Sequence, residues 1–260
     1  MPTLALLASH PLGVRCLDRL HDHPDIEVTT VVTYAADAET WWEGSVRERA
    51  RELGYDVLAR DEIDRLTETP VDYLLSVYFP DILGESLLEH PDELPLNLHQ
   101  AELPRYRGSN VFSHSILNAR DDDYWQHGTT LHVMEPSVDS GAVIDRRFAE
   151  IRESDTARSL YERVREQSVE LFEAWLPAIA DRTVGDHQTP QSEFDGPRYF
   201  YAKDSLDDLK SIPPERLADP DTELYDRIRA LDFPPHEPAW TTVAGERIYL
   251  TRDGYRRYQR

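Results

Sequence analysis

A short apolar run at residues 3–8 ends in Ser9-His10-Pro11-Leu12-Gly13, and apolar residues then recur at Val14, Leu17 and Leu20. The first stretch predicts a buried strand and the second an amphipathic helix, joined by a tight turn. The β-branched run 26–34, the run VDYLLSV at 71–77, and the stretches 94–98 and 129–134 predict further strands. Residues 45–53 predict a short amphipathic helix stopped by Gly54. The clearest helix begins after Ser154-Asp155-Thr156, all good N-cap residues, with an apolar stripe at Leu160, Val164, Leu171, Phe172, Trp175 and Ile179. Strands that alternate with helices predict an α/β fold with a doubly wound, mostly parallel sheet. Residues 181–197 turn polar and rich in breakers, which divides the chain into a domain over 1–185 and a small α+β extension over 198–260. In the extension we expect a helix at 222–231, a turn at Asp232-Phe233-Pro234-Pro235 and a hairpin around Ala244-Gly245.

Composition narrows the setting. Of 260 residues, 40% are hydrophobic, enough for a sizeable core, and the net charge is −22. Such a chain repels phosphate backbones and anionic lipid. Only Lys203 and Lys210 are lysines; the other 26 basic residues are Arg. Acid-rich, lysine-poor surfaces suit a salty, halophilic cytoplasm, where screening removes self-repulsion, so the charge alone does not exclude an RNA partner. No apolar run approaches the length of a membrane span, and the N-terminal residues lack a signal-peptide pattern, so the expected location is cytoplasmic. Cys16 is the only cysteine, which excludes an internal disulfide and a thiolate metal cluster.

The chemistry concentrates between residues 95 and 144. Asn97 and His99 stand two apart on a predicted strand, so both side chains leave one face while Leu96 and Leu98 leave the other. An amide donor beside an imidazole can stabilise a developing oxyanion and move a proton, and ligands of open α/β sheets bind at the strands' carboxyl ends. Asp139, in Val138-Asp139-Ser140-Gly141, could orient or charge that imidazole. His132 lies on the strand that leads toward Asp139 and is a candidate to line the site; His90, His114 and His127 read as surface or helix-end residues. No zinc spacing is present, so we expect no metal. The turn after the first strand lacks the glycines of a phosphate loop. Trp41-Trp42 could stack on a base or sugar or pack at a helix start.

Three segments in order, Asn97-Leu98-His99, Leu103-Pro104-Arg105-Tyr106-Arg107-Gly108 and Val138-Asp139-Ser140-Gly141, resemble the signature of the 10-formyltetrahydrofolate-dependent formyltransferases. The resemblance runs over about residues 3 to 180. It implies a Rossmann-like fold, catalytic roles for Asn97, His99 and Asp139, and 10-formyltetrahydrofolate as formyl donor to a primary amine. It also implies a folate pocket between Phe79, Pro80, Asp81, Ile82 and Leu83 on one side and the loop from Met134 to Val138 on the other. Phe79 and Pro80 stand where many relatives have glycines, and Ala101 and Glu102 depart from the pattern after His99.

The absence of a phosphate loop and the tail segments Arg198-Tyr199-Phe200-Tyr201 and Arg229-Ala230-Leu231-Asp232-Phe233-Pro234-Pro235 look most like the amino-sugar N-formyltransferases. That branch implies a nucleotide-linked amino sugar as acceptor. Methionyl-tRNA and other small amines remain open as acceptors, as does a non-catalytic folate- or nucleotide-binding module. The oligomeric state is open, a homodimer included. The charge makes one prediction: the thermal midpoint of unfolding rises as KCl is raised from about 0.1 M to 2 M. A midpoint that falls over that range contradicts the reading of the acidic surface as salt adaptation.

Overall fold

Strand β1 (Thr3–Ala8) sends Leu4, Leu6 and Ala8 to one face and Ala5 and Leu7 to the other, and all five are fully buried. A strand covered on both faces reads as an unbroken apolar run, the mark of an inner strand of a parallel sheet. The computed structural model, which describes residues 1–252, shows that sheet. After β1 come α1 (His10–His21), β2 (Glu27–Thr33), α2 (Val46–Glu52), β3 (Asp56–Ala59) and β4 (Tyr73–Val77). They are followed by α3 (Glu85–Leu88), β5 (Leu94–His99), β6 (Tyr106–Gly108), α4 (Val111–Ala119), β7 (Gln126–Val133), β8 (Val143–Glu150) and α5 (Ala157–Ala180). The remainder holds β9 (Tyr199–Tyr201), α6 (Asp207–Lys210), α7 (Thr222–Ala230), β10 (Ala239–Val243) and β11 (Glu246–Leu250).

The main sheet has the order β3-β2-β1-β4-β5-β7-β8. Strands β1 to β5 pair in parallel, and β7 joins β5 antiparallel. The chain thus winds outward to β3 and then reverses past β1 to β4, which opens a crevice at the carboxyl ends of β1 and β4. One face packs on α1, α2 and the α5 residues Val169, Phe172, Leu176 and Ile179. The other packs on Leu66 and Leu87. Cys16 lies in the first of these cores, where burial pushes its thiol up.

The described chain falls into two compact units that cut across the division at residues 185 and 198. One unit holds 1–105, 128–147 and 165–197; the other combines 106–127 and 148–164 with 198 onward. In the second unit β6 pairs with β9, so the tail's first strand needs the earlier segment to complete its hydrogen bonds. His114 and His127 are buried here, not at the surface or a helix end. His114 stacks on Tyr201 with ring centroids 3.4 Å apart, and burial lowers its pKa to about 4. His90 keeps a surface role, bonded to the Thr69 carbonyl.

Helix α5 starts as its sequence suggests. The Thr156 hydroxyl accepts from the Ser159 N–H at 3.1 Å and the Ser159 hydroxyl accepts from the Thr156 N–H at 3.1 Å. The Asp155 carboxylate beside them accepts from the Arg152 N–H, the Ser159 hydroxyl and the Arg163 guanidinium. Burial alone would raise its pKa, but these donors outweigh burial and hold it below the usual carboxylate range. A lowered folded pKa stabilises the fold in full above the unfolded value of about 4, and that stabilisation is lost as pH falls through the folded pKa. Asp155→Asn is therefore expected to cost about 1–3 kcal/mol at pH 7 in urea unfolding, and the gap to wild type should narrow in acid.

Candidate active site

The period of β5 sets the first two groups. Leu96 and Leu98 are 0% and 1% exposed, so Asn97 and His99 turn together to the opposite face. Strand β7 then brings in a third group, because His132 is the residue directly opposite Asn97 in the antiparallel register. Its Nδ1 lies 2.8 Å from the Val133 carbonyl and its Nε2 lies 3.1 Å from Asn97 Nδ2. A carbonyl only accepts, so Nδ1 carries the proton and the Nε2 lone pair receives an N–H of Asn97. This assigns the orientation of the Asn97 amide, with its nitrogen toward His132.

Asp139 completes the group from the loop after β7. One carboxylate oxygen lies 3.8 Å from His99 Nδ1 and 3.8 Å from His132 Nε2, and the Asp139 side chain is 11% exposed. Asn97, His99 and Asp139, expected together from the sequence, are brought together. His132 belongs with them, and only the strand register shows why. The carboxylate stands between two imidazoles at a sheet edge, placed to exchange a proton with whatever occupies the space beside His99.

An aromatic cluster stands at the carboxyl ends of β1 and β4. Ala8 pairs with Val77 and Val77 with Leu98, so the next residues, Ser9, Tyr78 and His99, stand side by side along the carboxyl edge. The Ser9 hydroxyl donates to the Tyr78 carbonyl. The His10 ring stacks on Trp42 at 3.6 Å, lies 4.0 Å from the Tyr78 ring and meets Trp41 edge-on at 5.2 Å. The two tryptophans therefore pack at the start of α1 through His10. His10, Tyr78 and Asp139 all have positive φ, at 65°, 55° and 51°. Side-chain-bearing residues reach that region only under constraint, and such strain gathers at functional sites.

The seven candidate folate residues divide. Phe79, Leu83 and Met134 pack against one core cluster with Leu7, Val71 and Leu74. Asp81 is paired with Arg60, at 2.7 Å to the guanidinium Nε, so its carboxylate is already engaged. Ile82 is 76% exposed, and Pro80 and Val138 are half-buried. Among the described residues, no three His, Cys, Asp or Glu side chains are arranged to hold a metal ion, and no helix is long and apolar enough to cross a membrane.

Residues 45–176, half of the chain and the part containing Asn97, His99, His132 and Asp139, match the family model described as formyl transferase. The chain is 27% identical over 234 residues to the bifunctional polymyxin resistance protein ArnA of Wigglesworthia glossinidia brevipalpis. That match takes in 86% of this chain but only 33% of that protein, so the chain spans about a third of its length. Among solved structures, a 4-N formyltransferase from Francisella tularensis superposes with a TM-score of 0.76 at 16% identity, over 96% of this chain and 97% of that one. An N-formyltransferase from Helicobacter canadensis, in complex with folinic acid and dTDP-3-aminofucose, superposes with a TM-score of 0.74 at 22% identity, over 94% and 85% of the two chains. At those identities the superpositions establish a shared fold.

The loop that carries Asp139 depends on Gly141, where an added Cβ would lie 2.0 Å from the Val133 carbonyl oxygen. Backbone cannot yield there as a flexible side chain would. Gly141→Ala is expected to destabilise the protein by about 1–3 kcal/mol, measured by chemical denaturation. A change within about 0.5 kcal/mol would contradict this packing.

Proposed function

The chain belongs to the formyl transferase family, and from that premise we propose that it moves a formyl group from 10-formyltetrahydrofolate to the primary amine of a nucleotide-linked amino sugar. The observation that carries the reading is the placement of Asn97, His99 and Asp139 in one group at the carboxyl edge of the sheet. The bound folate supplies the formyl carbon and leaves as tetrahydrofolate.

The residues have separable tasks. One N–H of Asn97 is spent on His132, and the second donates to the formyl oxygen as negative charge develops on it. The His99 ring N–H adds a second donor from the same strand face. Such preorganised donors act where charge appears in the transition state, each worth roughly 3–4 kcal/mol. Asp139 takes the proton that the attacking amine must lose, directly or through water, and the same pair returns a proton to the departing folate nitrogen. The carbon–nitrogen bond to the acceptor forms as that negative charge develops, and the bond to the folate nitrogen breaks when the charge collapses back to a carbonyl. Phe79, Leu83 and Met134 are proposed as the apolar side of the folate pocket, which fits their shared packing. The Asp81 carboxylate, held by Arg60, is better placed to brace that loop than to meet the ligand.

Two observations support a sugar-linked amine. The turn after β1 presents an imidazole flanked by indole and phenol rings where a phosphate-binding turn would present glycine backbone. Its rings are stacked on one another, so this turn offers no glycine backbone to a phosphate, and an acceptor held there by phosphate is disfavoured. The Helicobacter canadensis relative was solved with dTDP-3-aminofucose, which supports the same acceptor class here.

The deciding assay uses purified protein in molar KCl with 10-formyltetrahydrofolate and follows tetrahydrofolate release with and without a panel of nucleotide-linked amino sugars. Release should require a sugar, and Asn97→Ala should lower kcat by about 10²–10³ while folate Kd changes little. Release without any amine would indicate hydrolysis. Release that requires methionyl-tRNA instead would replace the sugar acceptor.

A further inference from the structure

The polar stretch between α5 and β9 carries a buried amide that reaches back to the catalytic loop. Thr189 forms an isolated antiparallel bridge with Val143, its N–H 2.8 Å from the Val143 carbonyl and its carbonyl 2.9 Å from the Val143 N–H. Pro190 follows with φ −56°, and the next residue, Gln191, is 6% exposed. The bridge and the proline thus deliver Gln191 to one place. There its Nε2 donates to the Asp139 carbonyl at 2.8 Å and to the Gly141 carbonyl at 2.8 Å. A side-chain amide nitrogen has two hydrogens, and both are used on the two carbonyls that flank Ser140.

Those carbonyls converge because of how the loop is made. Asp139 has φ 51°, a conformation a residue with a Cβ adopts at a cost, and Gly141 lies hard against the Val133 carbonyl. Two buried carbonyls that face one direction also need donors, or each costs about 1–3 kcal/mol. Two N–H groups from one side chain satisfy both and pin the backbone on either side of Ser140. The side chain of Asp139 then has little freedom to leave His99 and His132.

We propose that Gln191 is a positioning residue for the transfer reaction, holding the Asp139 backbone so that its carboxylate stays between the two imidazoles. The inference rests on the catalytic role given to Asp139 above. Gln191 touches no reacting atom. It acts through Asp139 alone, and this separates it from a residue that merely stabilises the fold. Misplacement of a reacting group by about 1 Å costs on the order of 10²-fold in rate.

Gln191→Glu tests this sharply, since it keeps the shape but replaces two donors with acceptors. The experiment compares wild type, Gln191→Glu, Asp139→Asn and the double variant with 10-formyltetrahydrofolate and a nucleotide-linked amino sugar. Gln191→Glu should lower kcat about 10- to 100-fold with the folate KM within roughly threefold. In the Asp139→Asn background the same change should cost less than about threefold, because the group it positions is already gone. Losses that multiply in the double variant, or a Gln191→Glu kcat within about twofold of wild type, overturn the inference. If Gln191→Glu fails to fold, Gln191→Met removes the donors without adding charge and carries the same cycle. An Asp139→Asn protein with full activity would overturn the catalytic reading itself. A readout without substrate covers the remaining case: amide exchange over residues 135–142 should rise at least tenfold in either Gln191 variant while β1 stays protected. Should no amino sugar be turned over, the acceptor assignment fails, and the exchange result alone upholds or overturns the clamp.

Discussion

Burial on both faces of β1 and β4 is the constraint from which the site follows. A strand packed on two sides has no face on which to carry polar chemistry, since an unpaired polar group there costs several kcal/mol. Its functional residues are confined to the end where the chain leaves the sheet. Ser9 and Tyr78 occupy those ends on β1 and β4, and the neighbouring β5, with one open face, adds Asn97 and His99. The reversal of winding between β1 and β4 keeps helices from covering that edge.

The edge is held by groups that oppose one another. His10, Tyr78 and Asp139 sit in backbone conformations that would relax in a free loop. Each is overruled by its neighbours: His10 between two ring faces, Tyr78 by the Ser9 hydroxyl on its carbonyl, and Asp139 by the Gln191 amide. His132 plays the same part for Asn97, fixing which end of the amide faces the site. The transfer proposed for this site depends on donors that are aimed before the amine arrives, so the supporting residues matter as much as the donors.

The surface follows a different logic. Arginine rather than lysine meets the acidic excess, as in the forked contact of Arg60 with Asp81 and the contacts of Arg49 with Asp18 and Glu52. Its planar fork suits carboxylates, although each exposed pair contributes at most about 1 kcal/mol. The buried Asp155 with its set of donors contributes more per residue, because it lies out of water at a helix start.

Much was legible in the chain itself because it rests on short periods. The two-residue period of β5 separates Asn97 and His99 from Leu96 and Leu98, the unbroken run of β1 marks an inner strand, and Thr156 with Ser159 starts α5 within four residues. The remainder depends on contacts between distant residues, for which local pattern carries no signal. Asn97 meets His132 only through strand register, Arg60 engages the Asp81 carboxylate, and buried packing overturns a surface role for His114. Gln191 lies 52 residues from Asp139 in a stretch whose composition reads as a linker, yet a single bridge and a proline bring it to the Asp139 loop. Residue type and spacing determined which groups could do the chemistry, because side-chain direction follows from the local period. Tertiary structure decided which groups hold them in place, because two buried carbonyls take whichever donor the fold brings near.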